Sequence, residues 1–336
     1  MVFPISYSLF FFSLLLGIFI SISSTSWFGI WIGLELNMMS FIPLITIKMN
    51  FYFSESALKY FLIQALGSAL FITSSCLFLS FLQISSLLLL TSLLLKLGSA
   101  PFHFWFPQVM MGLNWPQAII LMTFQKIPLM IIISYLSIYS NLMKMILTAA
   151  ILSAMIGALG GLNNMQLRKI MAFSSINHMS WMLISISISD MFWILYFLFY
   201  AIISSTIMIF FNLFQVFTLS ELIKFNQKKD INTLLIPLNL LSLGGLPPFA
   251  GFIPKWMLIQ LLINNKLFIP LMFLLASSLI TLYFYIRITI FFFMLMNPLM
   301  IFSKTLNLNS PFHLYFTFFL FFNLFLILLP LMFMLF

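Results

Sequence analysis

From residue 5 onward the chain is a succession of apolar runs about 20 residues long, and that repetition decides its class. A helix of about 20 apolar residues crosses the roughly 30 Å hydrocarbon core of a bilayer, closing its backbone hydrogen bonds within one segment. The strands of a membrane barrel would alternate apolar and polar residues, and these runs do not. Charged residues make up 6% of the 336, against about 25% in soluble domains. No stretch is long and polar enough for a soluble domain, so nucleotide binding, phosphate chemistry and base readout have nowhere to sit. The reading is an all-α polytopic membrane protein with about eleven transmembrane helices.

Two runs are too long. Residues 84–111 would extend about 42 Å as one straight helix and residues 231–263 about 50 Å. Both contain breakers. The first holds the stretch Lys96-Leu-Gly-Ser-Ala-Pro-Phe-His-Phe-Trp-Phe-Pro107, where Pro101 removes a backbone donor and should break the helix near Ala100. The second holds Gly244, Gly245, Pro247, Pro248 and Gly251. Leu97-Gly98-Ser99-Ala100-Pro101 resembles Leu243-Gly244-Gly245-Leu246-Pro247, and further prolines follow at Pro107 and Pro254. The breaks fall in the fourth and ninth spans. That spacing predicts two five-helix repeats, residues 1–140 and 141–294, each broken in its fourth helix. An odd number of helices per repeat makes them inverted in the membrane, as in secondary transporters. A further transmembrane helix is expected over 312–335.

The net charge of +9 does not indicate a nucleic-acid partner, because Lys and Arg are scattered. It reads as topology. Lys48, Lys59, Arg168, Lys169, Lys224, Lys228, Lys229 and Lys304 fall on the N-terminal side of the predicted spans, while Lys144 and Lys266 fall opposite. The positive-inside rule then places the N-terminus in the cytoplasm or the mitochondrial matrix. Cys76, the single cysteine, excludes a disulfide within the chain and a cysteine-based metal site. The first basic residue is Lys48, so a positive signal or transit segment is not expected at the start. Trp27, Trp31, Trp105, Trp115, Trp181, Trp193 and Trp256 fall mostly near span ends, where interfacial belts sit.

The ionisable residues inside the runs carry the chemistry. Glu35 lies about 12 Å down the second span, and Lys96 and Lys126 lie about 18 Å and 16 Å into theirs. Lys255 follows the second break. A charge at the bilayer centre costs roughly 2.5–3.5 kcal/mol even on insertion scales, so such residues mark ion or proton pathways. An acid and a base at matched depth can pair, and lysines in apolar surroundings suit proton transfer. A metal or sodium site would need more carboxylates or carbonyl oxygens, so the excess of Lys over Glu favours protons. Bland roles stand beside these. Glu35 with Lys96 could be a fixed packing pair, Lys126 could mark a kink at Pro128, and Lys255 could snorkel to an interface. His103 could relay protons or hold the broken backbone. His178, beside Ser174, Ser175 and Asn177, could bridge protonatable groups through water or pack as a neutral ring.

Five motifs together resemble the NADH dehydrogenase subunit 2 family: WIGLELN around Glu35, LLLKLGSAPFHFWFP around Lys96, FQKIPLM around Lys126, LRKIMAFSSINHMSWML around His178 and LSLGGLPPFAGFIPKW around Lys255. These are antiporter-like subunits of NADH:ubiquinone oxidoreductase (complex I), and the composition rich in Phe, Ile, Met and Leu suggests an animal, insect-like version. The resemblance implies a proton-translocating subunit in the mitochondrial inner membrane, partnered by other membrane-arm and accessory subunits and by lipid. It implies no cofactor in this chain, with NADH, FMN, iron–sulfur clusters and ubiquinone bound by other subunits. It assigns Glu35 and Lys96 as a pair, Lys126 as the central lysine, Lys255 as the exit-side lysine and His178 as a bridge. Two other function classes compete: a free-standing cation/proton antiporter, and an assembly scaffold whose buried charges only fix packing.

Overall fold

Fourteen α-helices account for the apolar runs in the computed structural model, which describes residues 5–46, 50–78, 80–225 and 231–294. In chain order they are α1 (Ile5–Ser23), α2 (Trp27–Ile45), α3 (Phe51–Leu77), α4 (Leu82–Leu97), α5 (Trp105–Gly112), α6 (Trp115–Met122) and α7 (Lys126–Leu136). Then follow α8 (Ser140–Gly161), α9 (Leu167–Ile186), α10 (Asp190–Phe214), α11 (Leu219–Phe225), α12 (Ile231–Gly244), α13 (Phe252–Asn264) and α14 (Phe268–Met294). Among the described residues seven stretches are long and apolar enough to cross a membrane, with α6 and α7 counted as one. The helix expected over 312–335, and Lys48, Lys228, Lys229 and Lys304, lie outside the described residues.

Both long runs are broken. The first breaks earlier than Pro101 alone dictates: α4 ends at Leu97, because Gly98 takes the left-handed conformation (φ 71°) that suits a residue without Cβ. The second break repeats the device, with α12 ending at Gly244 and Gly245 at φ 80°. A third interruption, at residues 123–125, divides the fifth span and makes Lys126 the first residue of α7. Pro128 then sits in the first turn of α7, where its missing N–H leaves no gap in the helix ladder. The short helix α11 was not anticipated. Its start is a capping box spelled Thr218-Leu-Ser-Glu221: the Glu221 carboxylate accepts the N–H groups of Phe217 (2.7 Å) and Thr218 (3.1 Å).

The chain divides into two compact units, Met1–Ser153 and Ala154–Phe336, with the boundary inside α8. In the first unit α1 lies against α2 where Gly17 and Gly33 meet; a Cβ on Gly33 would stand 2.6 Å from the Ser21 nitrogen. Small residues of this kind let membrane helices touch backbone to backbone. Helix α3 packs on α2, α4 and α5, and α7 on α1 and α4. In the second unit α9 is the inner helix, touching α10, α13 and α14, and every residue from Ser174 to Ile186 is buried. Outward faces are apolar. Leu9, Phe12, Leu16 and Phe19 form an exposed stripe on α1, at the spacing of one helix face that lipid or a neighbouring chain would cover.

Candidate functional site

The break after α4 builds the first unit's polar interior. A helix that stops inside a membrane leaves carbonyls without partners, and here two side chains and one backbone N–H satisfy them. Trp105 Nε1–H donates to the Leu95 carbonyl (3.0 Å), Gln64 Nε2 to the Lys96 carbonyl (3.1 Å), and the Ser99 N–H to the Leu94 carbonyl (3.2 Å). Lys96, in the last turn of α4, is buried. Its aliphatic stem crosses Gly67 of α3 so closely that a Cβ there would stand 2.8 Å from Lys96 Cγ. Lys126 is 2% exposed, and its Nζ lies 5.2 Å from the centroid of the Phe106 ring.

Lys96 and Lys126 line one cavity of about 30 Å³, room for about two waters by the usual 10–15 Å³ minimum for one. Asn37, Tyr60, Gln64 and Gln125 supply its polar wall. Tyr60 Oη–H donates to Gln125 Oε1 (2.9 Å), while Asn37 Oδ1 and Gln125 Nε2 meet no partner among the described residues. Buried amide atoms left open at a cavity wall are the groups that bound water satisfies. Two buried lysines, three amides and a phenol around a small polar cavity can move a proton. They do not form a metal site, and no cluster of three His, Cys, Asp or Glu exists among the described residues.

Glu35 does not touch Lys96. Lys59 and Glu55 form an i,i+4 ion pair on α3 (2.6 Å), and no such contact joins Glu35 to Lys96. The Glu35 charge acts on Lys96 and Tyr60 through space, and its Oε2 is buried with no partner among the described residues. The fixed packing pair is therefore absent from this structure, although the electrostatic link is present. His103 sits within the break. Its Nδ1–H donates to the Pro101 carbonyl (3.2 Å) and its ring lies against Phe104, so it holds backbone and does not line the Lys96–Lys126 cavity.

In the second unit Lys255, in the first turns of α13, is 5% exposed and does not snorkel. Its Nζ donates to the Gly244 carbonyl (2.8 Å), the last residue of α12, so the lysine caps the broken helix. His178 Nδ1 pairs with Tyr196 Oη (2.9 Å), and its ring stands 5.1 Å from that of Tyr200. These three residues share a second, smaller cavity of about 10 Å³ with Ser242, Gly251 and Pro254.

The structure thus groups Lys96 with Lys126, and places His178 and Lys255 in the second unit. Sequence reasoning missed Asn37, Tyr60, Gln64, Gln125 and Tyr196. The amides carried a signal, since Gln64 and Gln125 interrupt strongly apolar helices, and a buried polar group must find a partner. The interfacial reading of the tryptophans needs correction: Trp105, Trp115, Trp181 and Trp193 are all buried within the chain.

Comparison with known proteins agrees with this architecture. Residues 24–281 match the family described as NADH:quinone oxidoreductase/Mrp antiporter, TM. The chain is 48% identical over 302 residues to NADH-ubiquinone oxidoreductase chain 2 of Anopheles gambiae, covering 87% of each. It is 38% identical over 296 residues to the Bos taurus protein of the same name, covering 85% of each. Among solved structures, respiratory complex I from Thermus thermophilus contains a chain that matches with TM-score 0.83 and 24% identity, covering 97% of this chain and 79% of that one. A chain of the Mrp complex from Dietzia matches with TM-score 0.70 and 15% identity, over 82% of this chain and 58% of that one. Both structures share the fold.

Proposed function

Because the chain belongs to the NADH:quinone oxidoreductase/Mrp antiporter family, and within it to the NADH-ubiquinone oxidoreductase chain 2 proteins, we propose that it is a proton-translocating subunit of complex I. On this reading it lies in the membrane arm, in the mitochondrial inner membrane, with its N-terminus towards the matrix and with other membrane-arm and accessory subunits around it. It carries no redox group. Electrons pass from NADH to ubiquinone in other subunits, and this chain turns the accompanying change of state into proton movement. Its two five-helix repeats, 1–140 and 141–294, are inverted relative to one another.

The observation that carries the proposal is the polar cavity walled by both Lys96 and Lys126. A proton leaving Lys96 has a short route to Lys126 past Tyr60, Gln64 and Gln125. The Glu35 charge acts on Lys96 without a direct bond, so its hold can be strengthened or relaxed by a change elsewhere in the complex. Coupling then has a physical meaning, because the same charge differs in free energy between two states of the complex. Beyond Lys126 the relay uses His178 and Lys255 in the second unit, and His103 serves it by fixing the break.

Lys126→Met tests the proposal. The complex should assemble and oxidise NADH while moving fewer protons per electron. Unchanged stoichiometry would remove Lys126 from the path. A free-standing antiporter predicts instead that this chain alone, in liposomes, exchanges sodium or potassium for protons without NADH.

A further inference from the structure

Among the described residues no carboxylate forms an ion pair with Lys255, so its buried ammonium must be held by other means. One hydrogen bond, to the Gly244 carbonyl, accounts for one of its three donors. The other neighbour is aromatic: Nζ lies 5.9 Å from the centroid of the Trp181 ring, within the range over which a ring quadrupole attracts a cation. Trp181 is 1% exposed, and its Nε1–H meets no acceptor among the described residues. A buried tryptophan normally uses that N–H, so here the indole is held by its faces. It stacks against Tyr196 (centroids 6.3 Å apart, planes at 9°), and Tyr196 in turn holds His178 Nδ1. Lys255, Trp181, Tyr196 and His178 are therefore joined by one run of contacts inside the second unit.

We propose that Trp181 is a positioning residue for Lys255: its ring face seats the ammonium beneath the end of α12, and the stack on Tyr196 keeps that face in place. The interaction acts on the ammonium and not on the neutral amine. The seat therefore holds Lys255 while it carries a proton and lets it go once the proton has left. Gly245 serves the same geometry, because a Cβ there would stand 2.9 Å from Lys255 Nζ and block the approach to Gly244. The inference rests on the reading of Lys255 as a proton carrier.

The test uses the assembled complex, with native-gel assembly and protons moved per NADH oxidised as readouts. Lys255→Met should lower proton movement; if it does not, the proton-carrier reading of Lys255 fails. Given that loss, Trp181→Leu should reproduce most of it, because an ammonium seated on a desolvated ring loses about 30-fold in occupancy of its seat when the ring is removed. Trp181→Phe, which keeps a π face, should recover at least half of what Leu loses, and Trp181→Leu should add nothing in the Lys255→Met background. Equal effects of Leu and Phe, or no effect of either, would overturn the seat while leaving Lys255 in its role. If Trp181→Leu does not assemble, Trp181→Met replaces it. Failure of both to assemble beside an intact Phe variant would make the indole a packing element and overturn the proposal.

Discussion

Adding one methyl group to α3 should uncouple proton movement without loosening the fold. The position is Gly67, in the middle of α3, where a Cβ would stand 2.8 Å from Lys96 Cγ, 3.2 Å from Cε and 3.4 Å from Leu95 Cδ2. Carbon atoms sit comfortably at about 3.5–4.0 Å, so the lysine stem must move by roughly 1 Å in Gly67→Ala. The atoms that must yield belong to a flexible side chain, and a lysine pushed off its rotamer costs about 0.5–1.5 kcal/mol. Replacing a mid-helix glycine by alanine returns about 0.8–1.0 kcal/mol of helix propensity. The two terms nearly cancel, so assembly should be unchanged. Proton transfer should not be. Nζ is carried along with the stem, transfer requires heavy atoms within about 2.6–3.2 Å, and a misplacement near 1 Å can cost up to about 100-fold in rate.

The assay is NADH-driven dye quenching in proteoliposomes, with NADH oxidation measured in parallel and native gels confirming assembly. The expected result is normal NADH oxidation by an intact complex with several-fold slower proton movement. In a Lys96→Met background the same substitution should add nothing. Full assembly with unchanged proton movement would refute the argument that the position of Lys96 sets the transfer. Loss of the complex would show that the methyl had displaced helices rather than a side chain.

Tyr196→Phe keeps the ring stacked on Trp181 but removes the hydroxyl held at 2.9 Å from His178 Nδ1. Losing one buried hydrogen bond costs about 1–3 kcal/mol, so the complex should assemble while proton movement falls; an unchanged ratio of protons to electrons would remove His178 orientation from the mechanism. Orientation can be read by chemical labelling. Lys144 and Lys266 are exposed, and a membrane-impermeant amine reagent applied to the outer face of mitoplasts should modify them and spare Lys59, as peptide mapping would reveal. Modification of Lys59 from that face would invert the proposed topology.

Fold class was legible because it rests on the length of apolar runs, a property that needs no tertiary information. The two breaks were legible for the same reason: 84–111 and 231–263 exceed the bilayer thickness, and Gly98 and Gly245 stand where the excess must be resolved. Glu35, Lys96, Lys126 and Lys255 announced themselves because a charge inside an apolar run is too costly to be incidental. What the sequence withheld is how those groups are held. Residue type and depth suggested a Glu35–Lys96 pair, but whether two side chains meet depends on helix rotation and separation, which follow from contacts such as Gly17 against Gly33. The same limit hid Gln64, which is 32 residues from Lys96 in the chain yet donates to its carbonyl. It also hid Trp181, which spacing near a span end made look like a membrane anchor. A long apolar run tells where a charge is buried. Only the neighbouring helices determine whether a carboxylate, a carbonyl or an aromatic face receives it, and that choice governs how readily the proton can leave. In this chain a carbonyl and a ring receive Lys255, and a carboxylate acts on Lys96 from a distance. Both lysines are thus held by interactions weaker than a closed ion pair, which suits groups that must release what they carry.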